Sequence, residues 1–179
     1  MTEIRLRVAT LLDIPTLQQL IPDSARELSK NYYTPNQTES AIKYIFGVDT
    51  QLIADQTYYV AEAAGQIVGC GGWSKRRTLY GGDQMKSAQD PLLDPKQDAG
   101  RIRAFFIHPQ WARKGIGRRI IECCEEAARK EGFTRMELVA TLPGEPLYSA
   151  VGYQVNKRFD LSLPDGVTLP VAQMQKDLV

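Results

Sequence analysis

The stretch from Phe105 to Ile121 constrains the fold of this chain more than any other. An apolar run, Phe105-Phe106-Ile107, stops at His108-Pro109. A short basic loop with Gly115 and Gly117 follows, and an amphipathic helix begins at once. A strand feeding a helix through a glycine loop belongs to a sheet with helices packed on it. The helix start presents unpaired backbone N–H groups and a positive dipole end, which suit a phosphate or pyrophosphate. Gly115 and Gly117 let the backbone approach that anion without a Cβ in the way. Arg113, Lys114, Arg118 and Arg119 add positive charge nearby.

The rest of the chain supplies the sheet and its cover. Ile4–Val8 alternates apolar and charged residues and reads as a half-buried strand. Ile14, Leu17, Ile21, Ala25 and Leu28 recur at helical spacing after a capping Asp13, with Pro22 expected to break or kink that helix. Residues 31–35 read as a loop. A second short helix is expected to open at Thr38-Glu39 and end at Gly47. Tyr58–Ala64 and Gln66–Trp73 form a hairpin around Gly65, with Gly69, Gly71 and Gly72 marking a bulge or a close contact. Residues 76–100 are irregular, and a loop of that length reads as a lid or a disordered segment. Further strands are expected at Ile102–Ile107 and Arg135–Ala140. The helix from Gly115 turns Ile116, Ile120, Cys124, Ala127 and Ala128 to one face, with Gly132 at its C-cap. A short helix over Pro146–Val151 precedes a hairpin, Tyr153–Leu163 with Val167–Lys176. The expected architecture is a mixed α/β (α+β) single domain over 1–179, with one mostly antiparallel sheet.

Composition narrows the function classes. The net charge of +1 gives no general attraction to nucleic acid or membrane, so any basic site is local. Three cysteines, two of them adjacent, form neither a disulfide framework nor a metal-ligand pattern, and no metal is expected. The thiols suit a reducing compartment. The chain has no apolar run of signal or membrane-spanning length, so a cytoplasmic location and no membrane partner are expected.

Two motifs together resemble the GNAT superfamily of acyl-CoA-dependent N-acyltransferases. The family's loop, Arg/Gln-x-x-Gly-x-Gly/Ala after a strand ending in Val-x-Pro, is similar to Ile107-His108-Pro109 and Ala112-Arg113-Lys114-Gly115-Ile116-Gly117. Its later signature, Phe-Tyr-x-x-x-Gly-Phe, is similar to Leu147-Tyr148-Ser149-Ala150-Val151-Gly152-Tyr153. The resemblance implies a pair of parallel strands that splay apart, ending near Ile107 and Ala140. It implies acetyl-CoA as cosubstrate, with the pantetheine arm on Phe105, Phe106 and Ile107. The pyrophosphate would sit on Arg113, Lys114, Gly115, Ile116, Gly117 and Arg118. Tyr148 would protonate the leaving thiolate. The activity implied is direct transfer of an acetyl group to a primary amine of a small molecule or peptide. The alternative is a non-catalytic acyl-CoA-binding or sensing module.

Three positions depart from the family pattern. Ala112 replaces the leading Arg or Gln of the loop. Thr141 stands near the family Asn. Arg101 stands where many members carry a Glu used as general base through water. Asp98, Asp94, Asp83, Glu62 or a water chain remain open as the base. His108, the one histidine, reads as structural or near the cofactor. Tyr32, Tyr33, Trp73 and Tyr80 could line an acceptor pocket or could be packing residues. Arg76 and Arg77 could meet an anionic acceptor, but read better as a solvated pair. The acceptor surface would come from residues 22–37 and 76–100. The C-terminal hairpin offers a sheet edge to a second copy, which leaves a homodimer open.

Overall fold

The computed structural model describes residues 2–86 and 89–179. Seven strands form one sheet in the order β1-β2-β3-β4-β5-β7-β6. They are β1 (Ile4–Val8), β2 (Tyr58–Ala63), β3 (Gln66–Ser74), β4 (Gly100–Ile107), β5 (Arg135–Thr141), β6 (Gln154–Ser162) and β7 (Thr168–Asp177). Neighbours are antiparallel except β4 and β5, which are parallel. Five helices cover the sheet: α1 (Ile14–Leu28), α2 (Pro35–Tyr44), α3 (Thr50–Ala54), α4 (Ile116–Lys130) and α5 (Glu145–Ala150).

Side-chain alternation decides which helix covers which face. Tyr59, Ala61 and Ala63 of β2 join the core under α4 and α5, with Ile116, Ile120, Cys124 and Tyr148. Tyr58 and Val60 join the opposite core under α1 and α3, with Leu17, Ile21 and Leu52. A third cluster joins Ala41 and Ile45, at α2, to Leu169 and Val171 of β7.

The parallel pair touches only at its start, where Gly100 faces Met136 and Arg101 faces Glu137. Beyond that point each strand keeps its outer partner, β3 for β4 and β7 for β5, while the two diverge. The cause lies in β4. Between the pairs Cys70–Phe106 and Gly72–Arg103, β4 carries one residue more than β3. Such a bulge bends and twists its strand. Ala104, inside it, adopts a left-handed φ of 56°. The buried Tyr58 donates its hydroxyl to the Ala104 carbonyl at 2.7 Å and holds the bulge in place.

Several expectations need correction. α1 runs through Pro22 instead of breaking there, because Leu17, Leu20, Ile21 and Ala25 are all buried along it. α2 starts at Pro35, not Thr38. Thr34 caps it by accepting from the Gln37 amide, and the Gln37 side chain accepts from the Thr34 amide in return. This is a capping box with Pro at the first helical position. α2 ends at Tyr44, with Ile45 as its C-cap, before Gly47 is reached, and α3, not foreseen, follows with Asp49 as its cap. Arg76 is no solvated partner of Arg77, since it grips Asp55 through two nitrogens, at 2.7 and 3.0 Å.

The stretch at 76–100 is tied to the body. Gly82 and Asp83 donate backbone amides to the Ile45 and Val48 carbonyls, and Arg76 bridges to Leu92. Ser87 and Ala88, within the expected lid, lie outside the described residues.

Candidate active site

The gap between β4 and β5 opens into a cavity of about 510 Å³ lined from both faces of the sheet. Its walls include Gly117, Leu147 and Tyr148 on one face and Ser24, Leu28 and Phe46 on the other. The bulged half of β4, from Ile102 to Ile107, lies along it.

At one end is the basic loop. Arg113 and Gly115 both hold left-handed conformations, with φ of 60° and 84°. Ile116, Gly117 and Arg118 begin α4, so their amides have no partner within the helix. Arg113, Gly115, Ile116, Gly117 and Arg118 all line the cavity. Lys114 does not line it and instead lies over the Trp111 ring, 5.1 Å from its centroid. Arg119 turns away to the Ile4 carbonyl at 2.9 Å. Gly117 packs closely on α5, because a Cβ there would lie 2.6 Å from Cδ2 of Leu147 and that side chain would have to shift. α4 and α5 are thus pressed together at the residue next to Tyr148.

Tyr148 is 8% exposed and lines the cavity. Its ring meets Phe105 and Tyr153 edge-on, with centroids 6.1 Å away in each case. The Tyr148-to-Tyr153 spacing has a mechanical origin. Gly152, at φ 102°, closes α5, and the Tyr153 amide returns to the Tyr148 carbonyl at 3.0 Å. This left-handed helix ending folds Tyr153 back under Tyr148. Tyr153 is anchored in turn by donating its hydroxyl to the buried Glu125 at 2.9 Å. Phe105 lies flat over Gly71, where a Cβ would come within 2.7 Å of the ring. Burial pushes the Tyr148 phenol well above the ordinary tyrosine range, so it stays protonated at neutral pH.

Two positioning groups carried no local sequence signal. Ser24, on α1, accepts the Ile107 amide at 3.2 Å. Arg103, 2% exposed, reaches Asp49 at 3.0 Å and the Gly81 carbonyl at 2.6 Å. It clamps the 79–81 segment onto β4, although burial lowers its pKa from the usual arginine value.

The departures from the family pattern now have places. Arg101 pairs with Glu137 across the contacting ends of β4 and β5, away from the cavity. Thr141 lines the cavity and accepts the Gly144 amide at 3.2 Å. Ala112 also lines it.

None of the carboxylates considered as a base lines the cavity. Glu62 pairs with Arg7, Asp83 accepts from Thr50, and Asp94 and Asp98 close a turn before β4. His108 caps the 109–111 turn by accepting the Gln110 amide at 3.1 Å. Among the described residues, no Asp, Glu, His or Cys lines the cavity. Of the four aromatics considered for an acceptor pocket, Tyr32 and Tyr80 line it. Trp73 packs in the core against Phe133, and Tyr33 is buried with its hydroxyl on the Pro170 carbonyl.

Residues 19–153 match the Acetyltransferase (GNAT) family model, which is well over half of the chain. The protein belongs to the GNAT acetyltransferase family, a family of enzymes. The fold is shared with solved structures at low sequence identity. A GCN5-related N-acetyltransferase from Rhodopseudomonas palustris is 19% identical, with a TM-score of 0.72 over 99% of this chain and 97% of its own. The PaiA N-acetyltransferase from Thermoplasma acidophilum, solved in complex with coenzyme A, is 13% identical. Its TM-score is 0.64, over 98% and 99%. YncA from Salmonella typhimurium, solved with its cofactor acetyl-CoA, is 16% identical, with a TM-score of 0.63 over 98% and 94%. No curated protein sequence matches the chain. No helix among the described residues is long and apolar enough to cross a membrane.

Proposed function

We propose that this protein moves an acetyl group from acetyl-CoA to a primary amine by direct transfer in a ternary complex. The observation that carries the reading is the single cavity joining the left-handed basic loop to Tyr148 through the splayed strands. Relatives of the same fold were solved with coenzyme A and acetyl-CoA.

In this reading the amides of Ile116, Gly117 and Arg118 take the pyrophosphate, with Arg113 and Arg118 neutralising its charge. The pantetheine arm lies along Phe105–Ile107. A backbone N–H of splayed β4 stabilises the carbonyl oxygen as it gains charge, an effect typically worth about 2.7–4 kcal/mol. Tyr148 donates its proton to the departing thiolate. Lys114, which leans on Trp111, acts at the rim of the site and not inside it.

Calorimetry with acetyl-CoA, followed by acceptor-dependent release of free thiol, tests the reading. The absence of His and carboxylate groups from the cavity wall favours one rival, a module that binds the donor without transfer. Acetyl-CoA binding with no thiol release across an amine panel would support that rival. Acceptor-dependent release that falls in Tyr148→Phe rejects it.

A further inference from the structure

The cavity continues past the splayed strands to the face covered by α1 and α2. There its wall is Leu28, Tyr32, Phe46, Tyr80, Leu169 and Val171. Phe46, Tyr80, Leu169 and Val171 belong to one apolar cluster. The cavity's fixed charges are Arg103, Arg113 and Arg118, all positive, and no carboxylate among the described residues lines it. Asp49, beside Arg103, is fully committed. Its Oδ2 accepts from Arg103, and its Oδ1 accepts from the Gln51 amide and from Lys86 Nζ.

We infer that the acceptor is an aromatic amine of low basicity, which enters this apolar arm uncharged. The inference rests on the transferase reading above. An alkylammonium would shed its water against the apolar walls of this arm, where no carboxylate among the described residues lines the cavity to meet it, which is strongly unfavourable. It would also need a base to remove its extra proton, and the cavity wall supplies none. An aromatic amine is already neutral at physiological pH. Its nitrogen attacks the thioester carbon, a C–N bond forms and the C–S bond breaks. The nitrogen loses one proton and the sulfur gains one, so no external base is consumed. Tyr148 passes a proton to sulfur and recovers one from the nitrogen. The exposed edge of Tyr32 and the ring of Tyr80 suit an aromatic body.

The test is a set of kcat/KM values with acetyl-CoA, reading free thiol, for aniline, an aliphatic diamine and a dipeptide. Acetyl-CoA binding is measured separately by calorimetry. The expected result is a preference for aniline of about tenfold or more. The aniline profile should be flat from about pH 6 to about pH 9, because no group gains or loses a proton before attack. In Tyr80→Glu, a carboxylate in the arm should move the ratio toward the diamine by about tenfold. Faster transfer to the diamine or dipeptide overturns the acceptor class while leaving the transferase reading intact. A preference for octanoyl-CoA over acetyl-CoA also overturns it, since the arm would then hold the acyl chain. Acetyl-CoA binding without thiol release from any acceptor overturns both.

Discussion

Tyr148 is held by rings rather than by hydrogen bonds. Phe105 and Tyr153 fix its plane, and Glu125 fixes Tyr153. Its chemistry can therefore be removed with little change of shape. Tyr148→Phe should lower kcat about a hundredfold with acetyl-CoA affinity unchanged, as measured by stopped-assay rates and calorimetry. Tyr58 acts at a distance, through the Ala104 carbonyl it holds at 2.7 Å. Tyr58→Phe should lower stability by about 1 kcal/mol in urea melts, by removing the hydrogen bond to the half-buried Ala104 carbonyl. It should also lower kcat more than it raises KM, because the bend of β4 loosens. Tyr148 is singled out only by the resemblance of residues 147–153 to the family's later signature, in which Gly152 marks the helix ending that folds Tyr153 beneath it. Tyr58, Ser24 and Arg103 had no such mark. Each acts on a residue far away in sequence, and nothing in its local surroundings announces the partner.

At the scale of elements, the site is made by one surplus residue in β4 and by the contact of α4 with α5. The bulge parts β4 from β5, and the parting creates the cavity. Gly117→Ala places a methyl 2.6 Å from Leu147. Leu147 precedes Tyr148, and the methyl is absorbed either by the end of the Leu147 side chain or by a shift of the start of α4 against α5. We expect a stability loss of about 1–3 kcal/mol, weaker acetyl-CoA binding and a lower kcat, read by thermal melts, calorimetry and turnover.

Periodicity made β5 and α4 readable, since each buries one clean face, whereas β3 is buried on both faces and β6 is mostly exposed. α2 and α3 were harder. Thr34-Pro35 looked like loop chemistry, but Pro at the first turn after a Thr cap starts a helix as readily as it ends one. The irregular composition of 76–100 gave no hint that buried Arg103 would tie that stretch to the body, through the Thr78 and Gly81 carbonyls.

Across the whole molecule, polar anchoring is concentrated in a few carboxylates paired with arginine or lysine. The Arg7 guanidinium holds Asp13 below its usual pKa. Burial raises Asp55 and Asp90, but Arg76 and Gln51 for the first, and Thr78 and Lys86 for the second, bring them below normal. A depressed folded pKa means that the unfolded chain binds protons first as acid is added. Stability from these groups is full above an unfolded value of about 3.9 and drains as pH falls through the lower folded values. Thermal melts should show a steep loss of Tm below about pH 4. Asp55→Asn should lower Tm at neutral pH and make the acid decline shallower.

In the proposed reading, donor and acceptor are handled on opposite faces of the sheet. The loop and Tyr148 stand on the α4–α5 face, and the apolar arm stands on the α1–α2 face. The measurement closest to the heart of this account is acceptor-dependent thiol release from acetyl-CoA, compared between the native protein and Tyr148→Phe. Release should depend on amine and fall about a hundredfold in the variant, while acetyl-CoA binds both proteins alike. Release that ignores the amine, or that is equal in the two proteins, would contradict it.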